Sequence, residues 1–307
     1  VEPSALGPTN YHEHLFQATP LLQGEDLDDE TRSGQEASFL RDSGFAAMVD
    51  ATPLGLGRQP EALARIAGRV GMKIVATTGR HREEHYPPHH WVRSLSVADL
   101  EARFLAELTT ALPVADTLRG EGPAMSEAGA AVRAGVVKAG IGYWSISAFE
   151  RQTLEALACA HRETGAPVMV HLEHCSSAHE LLDLLISLEV SSTSVVLAHA
   201  DRSLDPGLHL SLIERGAYLG YDGMGRLKTQ SDEALLALTQ AVVEGGGSDS
   251  LVLGGDVARR TRYVAYGGIP GLGYLGNRYL PRLRERIGEK TVEKMLTENP
   301  ATWLTWP

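Results

Sequence analysis

Cysteine is scarce in this 307-residue chain. Cys159 and Cys175 are the only two, and they form neither a C-x-x-C pair nor a framework. A fold stapled by disulfides is therefore excluded, and two free thiols in a reducing cytoplasm are the expectation. No run of about 18 apolar residues occurs, and no basic stretch leads into an apolar core near Val1. No membrane span is therefore expected, and the chain, which starts at Val1, leaves a trimmed N-terminal segment open. Positive charge is short as well. Lys and Arg number 28 against 39 Asp and Glu, a net charge of −11, which argues against nucleic acid or an anionic membrane as partner. It does not exclude a small anionic substrate, because a pocket's local field can oppose the net charge. No G-x-G-x-x-G follows the first apolar run and no Walker loop is present, so nucleotide-binding folds lose their main support.

What is present is a series of short β-rich runs. They are "TNYHEHL" (9–15), "AAMVDATP" (46–53), "KIVATTG" (73–79), "AGVVKAG" (134–140), "PVMVHLE" (167–173), "SVVLAHAD" (194–201), "AYLGYDG" (217–223) and "LVLGGDVA" (251–258). Most are continuous apolar runs that end in a polar residue or Gly, the pattern of parallel strands buried on both faces. Helix-period stretches separate them, at 60–71, 147–165, 177–189 and 232–246. Ser147 with Glu150, and Ser177 with Glu180, have capping-box spacing, while Gly71, Gly165 and Gly245 sit where helices should stop. Eight strands alternating with helices predict an α/β fold, a (β/α)8 TIM barrel, with residues 1–307 as one domain. Three long irregular stretches, 16–33, 80–96 and 257–276, follow strands 1, 3 and 8. Barrel enzymes build their sites on that side.

The strand ends carry the chemistry. His12 and His14 lie two apart on the first, so a strand would present both imidazoles to one point. Twelve histidines in this chain give roughly half an H-x-H pair by chance, so the pair alone means little. But Lys138, His171, His199 and Asp256 fall at four further strand ends, and in a barrel those ends converge on one axis. Lys138 puts an ammonium into an otherwise apolar strand, which is costly without a partner. Either Asp256 pairs with it, or the neutral amine adds carbon dioxide to give a carbamate that can bridge two cations. Glu13 should face away from the two histidines and reads as structural.

This combination resembles the amidohydrolase superfamily. The contexts "NYHEHL", "VVKAG", "VHLEH", "LAHAD", "LGGD" and "ENPATWL" are similar to its phosphotriesterase-like group, from residue 7 to residue 304. The resemblance implies a binuclear metal hydrolase. His12, His14 and Asp256 would hold the more buried ion and His171 and His199 the more exposed one. N6-carboxylated Lys138 would bridge them. Zinc suits these ligands, and manganese, cobalt or nickel can also serve. A metal-bridging hydroxide would attack an ester carbonyl or a phosphorus, with Asp256 as the catalytic proton acceptor. A homodimer is the family-based expectation.

The substrate should be read in the loops after strands 7 and 8, where barrels often receive a phosphate. "YDGMGRLK" supplies Arg226 and Lys228, and "GGDVARRTRYVAYGGIPG" supplies Arg259, Arg260 and Arg262. The "DG…K" and "GGD.ARR" segments are similar to the branch that hydrolyses phosphorylated sugar lactones. That similarity implies a 1,4-lactone 5-phosphate gripped by Lys228 and Arg259, with Tyr86 a candidate for a further tyrosine contact. Arg260 and Arg262 read as a salt-bridged surface loop. The 80–96 loop, with Arg80, His81 and Arg82, is either a substrate wall or a solvated flap. Rival readings are a neutral or acyl-homoserine lactonase with side activity on phosphotriesters, and an amidase acting on an N-acyl amino acid. A further rival is a barrel that binds a ligand without catalysis.

Overall fold

A computed structural model describes residues 2–226 and 229–306. Eight parallel strands follow one another in chain order: β1 (Thr9–Glu13), β2 (Ala47–Asp50), β3 (Lys73–Gly79), β4 (Ala134–Gly140), β5 (Val168–His171), β6 (Val195–Ala198), β7 (Tyr218–Tyr221) and β8 (Leu251–Leu253). The chain beyond β8 closes the ring, because the Asp256 N–H donates to the His12 carbonyl at 3.0 Å. This is the (β/α)8 barrel expected from the alternation of strands and helices. The helices that follow β1 to β7 are α1 (Glu30–Asp42), α2 (Pro60–Val70), α3 (Val97–Thr109), α4 (Ala148–Thr164), α5 (Ala178–Ser187), α6 (Pro206–Glu214) and α7 (Asp232–Glu244). Three more, α8 (Leu280–Ile287), α9 (Glu289–Leu296) and α10 (Glu298–Trp303), follow β8. No described helix is long and apolar enough to cross a membrane.

Two apolar layers hold the barrel. Tyr11, Val49, Val136, Met169, Val196 and Val252 belong to one buried cluster, alternating along the strands with residues of a larger cluster that faces the helices. Tyr11 fits only because β7 carries Gly220, where a Cβ would lie 2.1 Å from the Tyr11 hydroxyl oxygen. Above this layer Lys138 shares a face with Val136, and His171 with Met169. Cross-strand register then lines up Gly79 with Lys138, and Gly140 with His171.

The local signals mostly hold. Ser147 and Glu150 form the reciprocal capping box of α4, and Gly71 and Gly165 end α2 and α4 in the left-handed conformation. Ser177 does not cap α5: its backbone (φ −122°, ψ 23°) is not extended, and its hydroxyl is buried without a partner. After α7 the left-handed residue is Gly246 (φ 92°), one later than expected. The long excursion 110–133 went unread in the sequence because it has no period. It returns to the loop after β2, where Asp116 accepts from the N–H groups of Gly55, Gly57 and Arg58 and pairs with the Arg58 guanidinium at 3.0 Å.

Candidate active site

At the C-terminal mouth of the barrel, six side chains from five strand ends meet. His12 Nε2 lies 3.3 Å from His14 Nε2, and the Asp256 Oδ1 is 3.7 Å from the first and 3.5 Å from the second. Lys138 Nζ stands 3.1 Å from His12 Nε2. The His199 ring is 5.0 Å from His12 and 4.5 Å from His171, centre to centre. His199 (φ 61°) and Asp256 (φ 41°) both occupy the left-handed region without being glycine. That backbone strain turns their side chains inward, where the surrounding structure must hold them.

The outer partners fix which nitrogen of each ring faces the centre. Thr52 donates its hydroxyl proton to the Phe16 carbonyl (2.7 Å), so it accepts from His14 Nδ1–H, also at 2.7 Å. The Asp222 carboxylate accepts from His12 Nδ1 (3.1 Å) and from His199 Nδ1 (2.7 Å). All three rings therefore carry their proton outward and aim a bare Nε2 at the centre. His171 is reversed: its Nε2 donates to Glu173 at 2.9 Å, which leaves Nδ1 free. Asp222 is fixed in turn by the Tyr11 hydroxyl, and its own N–H donates to Asp201 at 3.0 Å.

Burial keeps these groups in ligand form. It pulls His12, His14 and His199 down to about 4 from 6.5, so the imidazoles stay neutral at pH 7. Burial would raise the Asp256 carboxyl, but Arg226 and the imidazoles outweigh it and hold the group well below the usual carboxylate range. Lys138 is 1% exposed and burial brings its amine down to about 8. No carboxylate among the described residues approaches its Nζ within ion-pair distance, because Asp256 is taken by Arg226. The contact ion-pair account of Lys138 therefore fails, and the buried amine keeps only longer-range attraction to Asp256, Asp222 and Asp50.

A cavity of about 210 Å³ opens over this centre. Of the residues expected to touch substrate, Arg259 lines it from an exposed position. Arg226 lines it too, but its guanidinium is engaged by the carboxylate and the carbonyl of Asp256. Lys228 lies outside the described residues. Tyr86 is misplaced by the sequence reading: it is buried away from the cavity, donating to the Leu54 carbonyl and accepting from the His81 N–H, both at 2.9 Å. Arg262 is no surface residue. It lines the cavity, donates to the carbonyls of Asp256 and Val257 at 3.3 Å, and keeps a buried Nη2 without a partner. Arg260 is exposed as expected, over the Tyr266 ring. The 80–96 loop is a wall and not a flap, since His81, Arg82 and His85 face the cavity; Arg80 is buried beneath it, bound to Thr153 at 2.8 Å. Glu13 accepts from the Val257 N–H and the Asn10 amide, both at 3.0 Å, and so ties β1 to the segment that carries Asp256.

A model of the phosphotriesterase family matches residues 1–304. The chain belongs to the phosphotriesterase family. A lactonase from Listeria monocytogenes superposes with a TM-score of 0.88 at 29% identity, covering 99% of this chain and 96% of the other. A phospho-furanose lactonase from Mycoplasmopsis synoviae is 26% identical across 96% of this chain and 86% of its own length. The N-acetyltaurine hydrolase of Homo sapiens is 25% identical across all of this chain and 96% of its own. This member of the family is a hydrolase.

The donor set fits divalent metal. His12, His14 and Asp256 offer ligand atoms that all lie within 4.8 Å of one another; the other convergent group, His12, His199 and Asp222, is the one joined by the outward Nδ1 hydrogen bonds. The inward Nε2 lone pairs and the Lys138 amine, which has no contact ion pair among the described residues, point the same way. Sequence reasoning missed Asp222, Glu173 and Thr52. Asp222 had a signal, since it ends the seventh run as His199 nearly ends the sixth. Glu173, the last residue of the fifth run, had the same signal; Thr52 had none, because a residue that orients a ligand need satisfy only a hydrogen bond.

Proposed function

We propose that this phosphotriesterase-family hydrolase opens a phosphorylated sugar lactone, a 1,4-lactone 5-phosphate, to the corresponding hydroxy acid. The observation that carries the reading is the charge of the cavity rim. Arg226, Arg259 and Arg262, from the loops after β7 and β8, line the cavity beside the His/Asp cluster, with Arg226 bonded to Asp256. Arg259 makes no ion pair among the described residues. In a protein of net charge −11, such a local cationic rim favours an anionic substrate group, and arginine forks suit a phosphate. The phospho-furanose lactonase relative supports the same class.

Two divalent ions, zinc or else manganese, cobalt or nickel, supply when bound an acidified water and a Lewis acid for the carbonyl oxygen. His12, His14 and Asp256 would hold the inner ion and His171 and His199 the outer one. Lys138 would serve both as a carbamate: its amine forms an N–C bond to carbon dioxide and loses one proton. Burial favours the neutral amine that this addition needs. Asp256 takes the proton released as water adds to the carbonyl carbon. It returns that proton to the ring oxygen as the C–O bond breaks. Arg226 holds the Asp256 carboxylate for this work, and Arg259 with Lys228 receives the phosphate.

A second reading is favoured by the human relative: hydrolysis of an amide whose amine part carries a sulfonate. The same rim would receive that anion. Metal-reconstituted protein offered a 1,4-lactone 5-phosphate, N-acetyltaurine and a diethyl aryl phosphate separates these readings. The lactonase reading expects kcat/KM on the lactone to exceed the other two by at least about 100-fold, roughly 3 kcal/mol of transition-state binding. Preference for the amide would replace it.

A further inference from the structure

The two sides of the cavity differ in hydrogen-bonding character. The side built by the loops after β7 and β8 presents arginines, which only donate. The loop after β3 brings His81 and His85, together with Arg82, whose charge is taken by Glu84 and Glu173, and the loop after β1 brings Gln17. His85 is 7% exposed, and neither of its ring nitrogens has a hydrogen-bond partner. The Gln17 Oε1 is likewise buried and unpartnered. Buried polar atoms are nearly always satisfied in a folded protein, so three such atoms on one wall point to a ligand that satisfies them.

The wall is also positioned. The His85 ring packs on His81 with centroids 3.8 Å apart, and the His85 carbonyl accepts from the Thr19 hydroxyl at 3.0 Å. His81 Nδ1 accepts from the Arg82 N–H at 2.8 Å, so its proton sits on Nε2. Its Nδ1 edge lies against Gly140, where a Cβ would stand 2.9 Å away; only glycine there lets the ring sit so close to β4. Neither imidazole joins a convergent metal-ligand group among the described residues, which are those of His12, His14, His199, Asp222 and Asp256. A further metal site is thus not what the pair forms.

A neutral imidazole has one donor and one acceptor, and a carboxamide has both kinds. Phosphate oxygens only accept and acyl chains do neither. The group that matches this wall is the alcohol, which donates and accepts at one oxygen. We infer that His85, supported by His81 and joined by Gln17, recognises the ring hydroxyl groups of the substrate while the arginine side takes its anion. This inference rests on the lactonase reading above and extends it, because it makes the enzyme selective for hydroxylated lactones over deoxy or acyl-chain ones.

The test compares a 1,4-lactone 5-phosphate carrying its 2- and 3-hydroxyls with the 2,3-dideoxy analogue, in wild type and His85→Phe. Phenylalanine keeps the ring volume and the packing on His81 but no polar edge. Wild type should prefer the hydroxylated lactone by about 100-fold or more in kcat/KM. His85→Phe should lose at least about tenfold on the hydroxylated lactone and nothing on the analogue, at unchanged metal content. Gln17→Met, on a separate loop, should lower the same ratio by a smaller factor, and it carries the test if His85→Phe does not fold. An unchanged ratio in the variants, or an equal loss on both lactones, overturns hydroxyl recognition while leaving the lactonase reading intact. Failure of wild type to open either lactone overturns the lactonase reading and this inference with it.

Discussion

Asp222 binds two histidines at once: its carboxylate accepts the Nδ1–H of His12 at 3.1 Å and that of His199 at 2.7 Å. The two rings come from β1 and from the end of β6, on opposite sides of the barrel axis. One carboxylate therefore sets the orientation of a ligand on each half of the centre. Asn in its place keeps the shape but turns an NH2 toward one imidazole N–H, so one donor faces another. Asp222→Asn should weaken metal retention about 10- to 100-fold with little change in secondary structure. Metal per chain after graded dialysis, read beside circular dichroism, checks this.

Lys138 gives a prediction for the metal-free protein. Burial lowers its amine to about 8 from 10.5, so between those values the unfolded chain binds the proton and the folded one does not. Stability should therefore rise with pH across that window, by about 3 kcal/mol if the shift is fully expressed. Lys138→Met should lack the rise and be the more stable protein at pH 7, where wild type carries the buried ammonium. Urea midpoints in chelator and carbon-dioxide-free buffer at pH 7, 8.5 and 10 compare the two. The tyrosine contributions are common to both proteins and cancel.

Arg226 and Arg259 should separate in kinetics although both line the cavity. Arg226 is engaged by Asp256, and Arg259 makes no ion pair among the described residues. Arg226→Ala frees the carboxylate that handles the proton, so it should lower kcat on phosphorylated and neutral lactones alike, by about 100-fold. A loss confined to phosphorylated substrates would make Arg226 a phosphate ligand instead. Steady-state kcat and KM on both lactones distinguish the outcomes.

Much of this architecture was legible because it is periodic. All eight strands were visible as apolar runs, and the ligands were visible because polar residues end those runs at one height. His12, His14, Lys138, His171, His199 and Asp256 could be named without knowing any contact. What was hidden depends on distance between loops. Lys138 was one candidate partner for Asp256, and the partner is Arg226, since which cation reaches a carboxylate is decided by loop course. Tyr86 looked like a substrate group because its loop follows a strand end, yet its hydroxyl closes that loop on Leu54 and His81. His85 showed the opposite error. A histidine in a histidine-rich loop carries no sequence mark of standing unpartnered in a cavity.

The most direct measurement is the ratio of kcat/KM for a five-carbon 1,4-lactone with and without its 5-phosphate, in metal-replete wild type and in Arg259→Ala. The account predicts a ratio of about 100 or more in wild type, falling to near unity in Arg259→Ala through loss on the phosphorylated substrate alone, roughly 3 kcal/mol. Equal rates on the two lactones in wild type, or a ratio that survives the loss of Arg259, would contradict it.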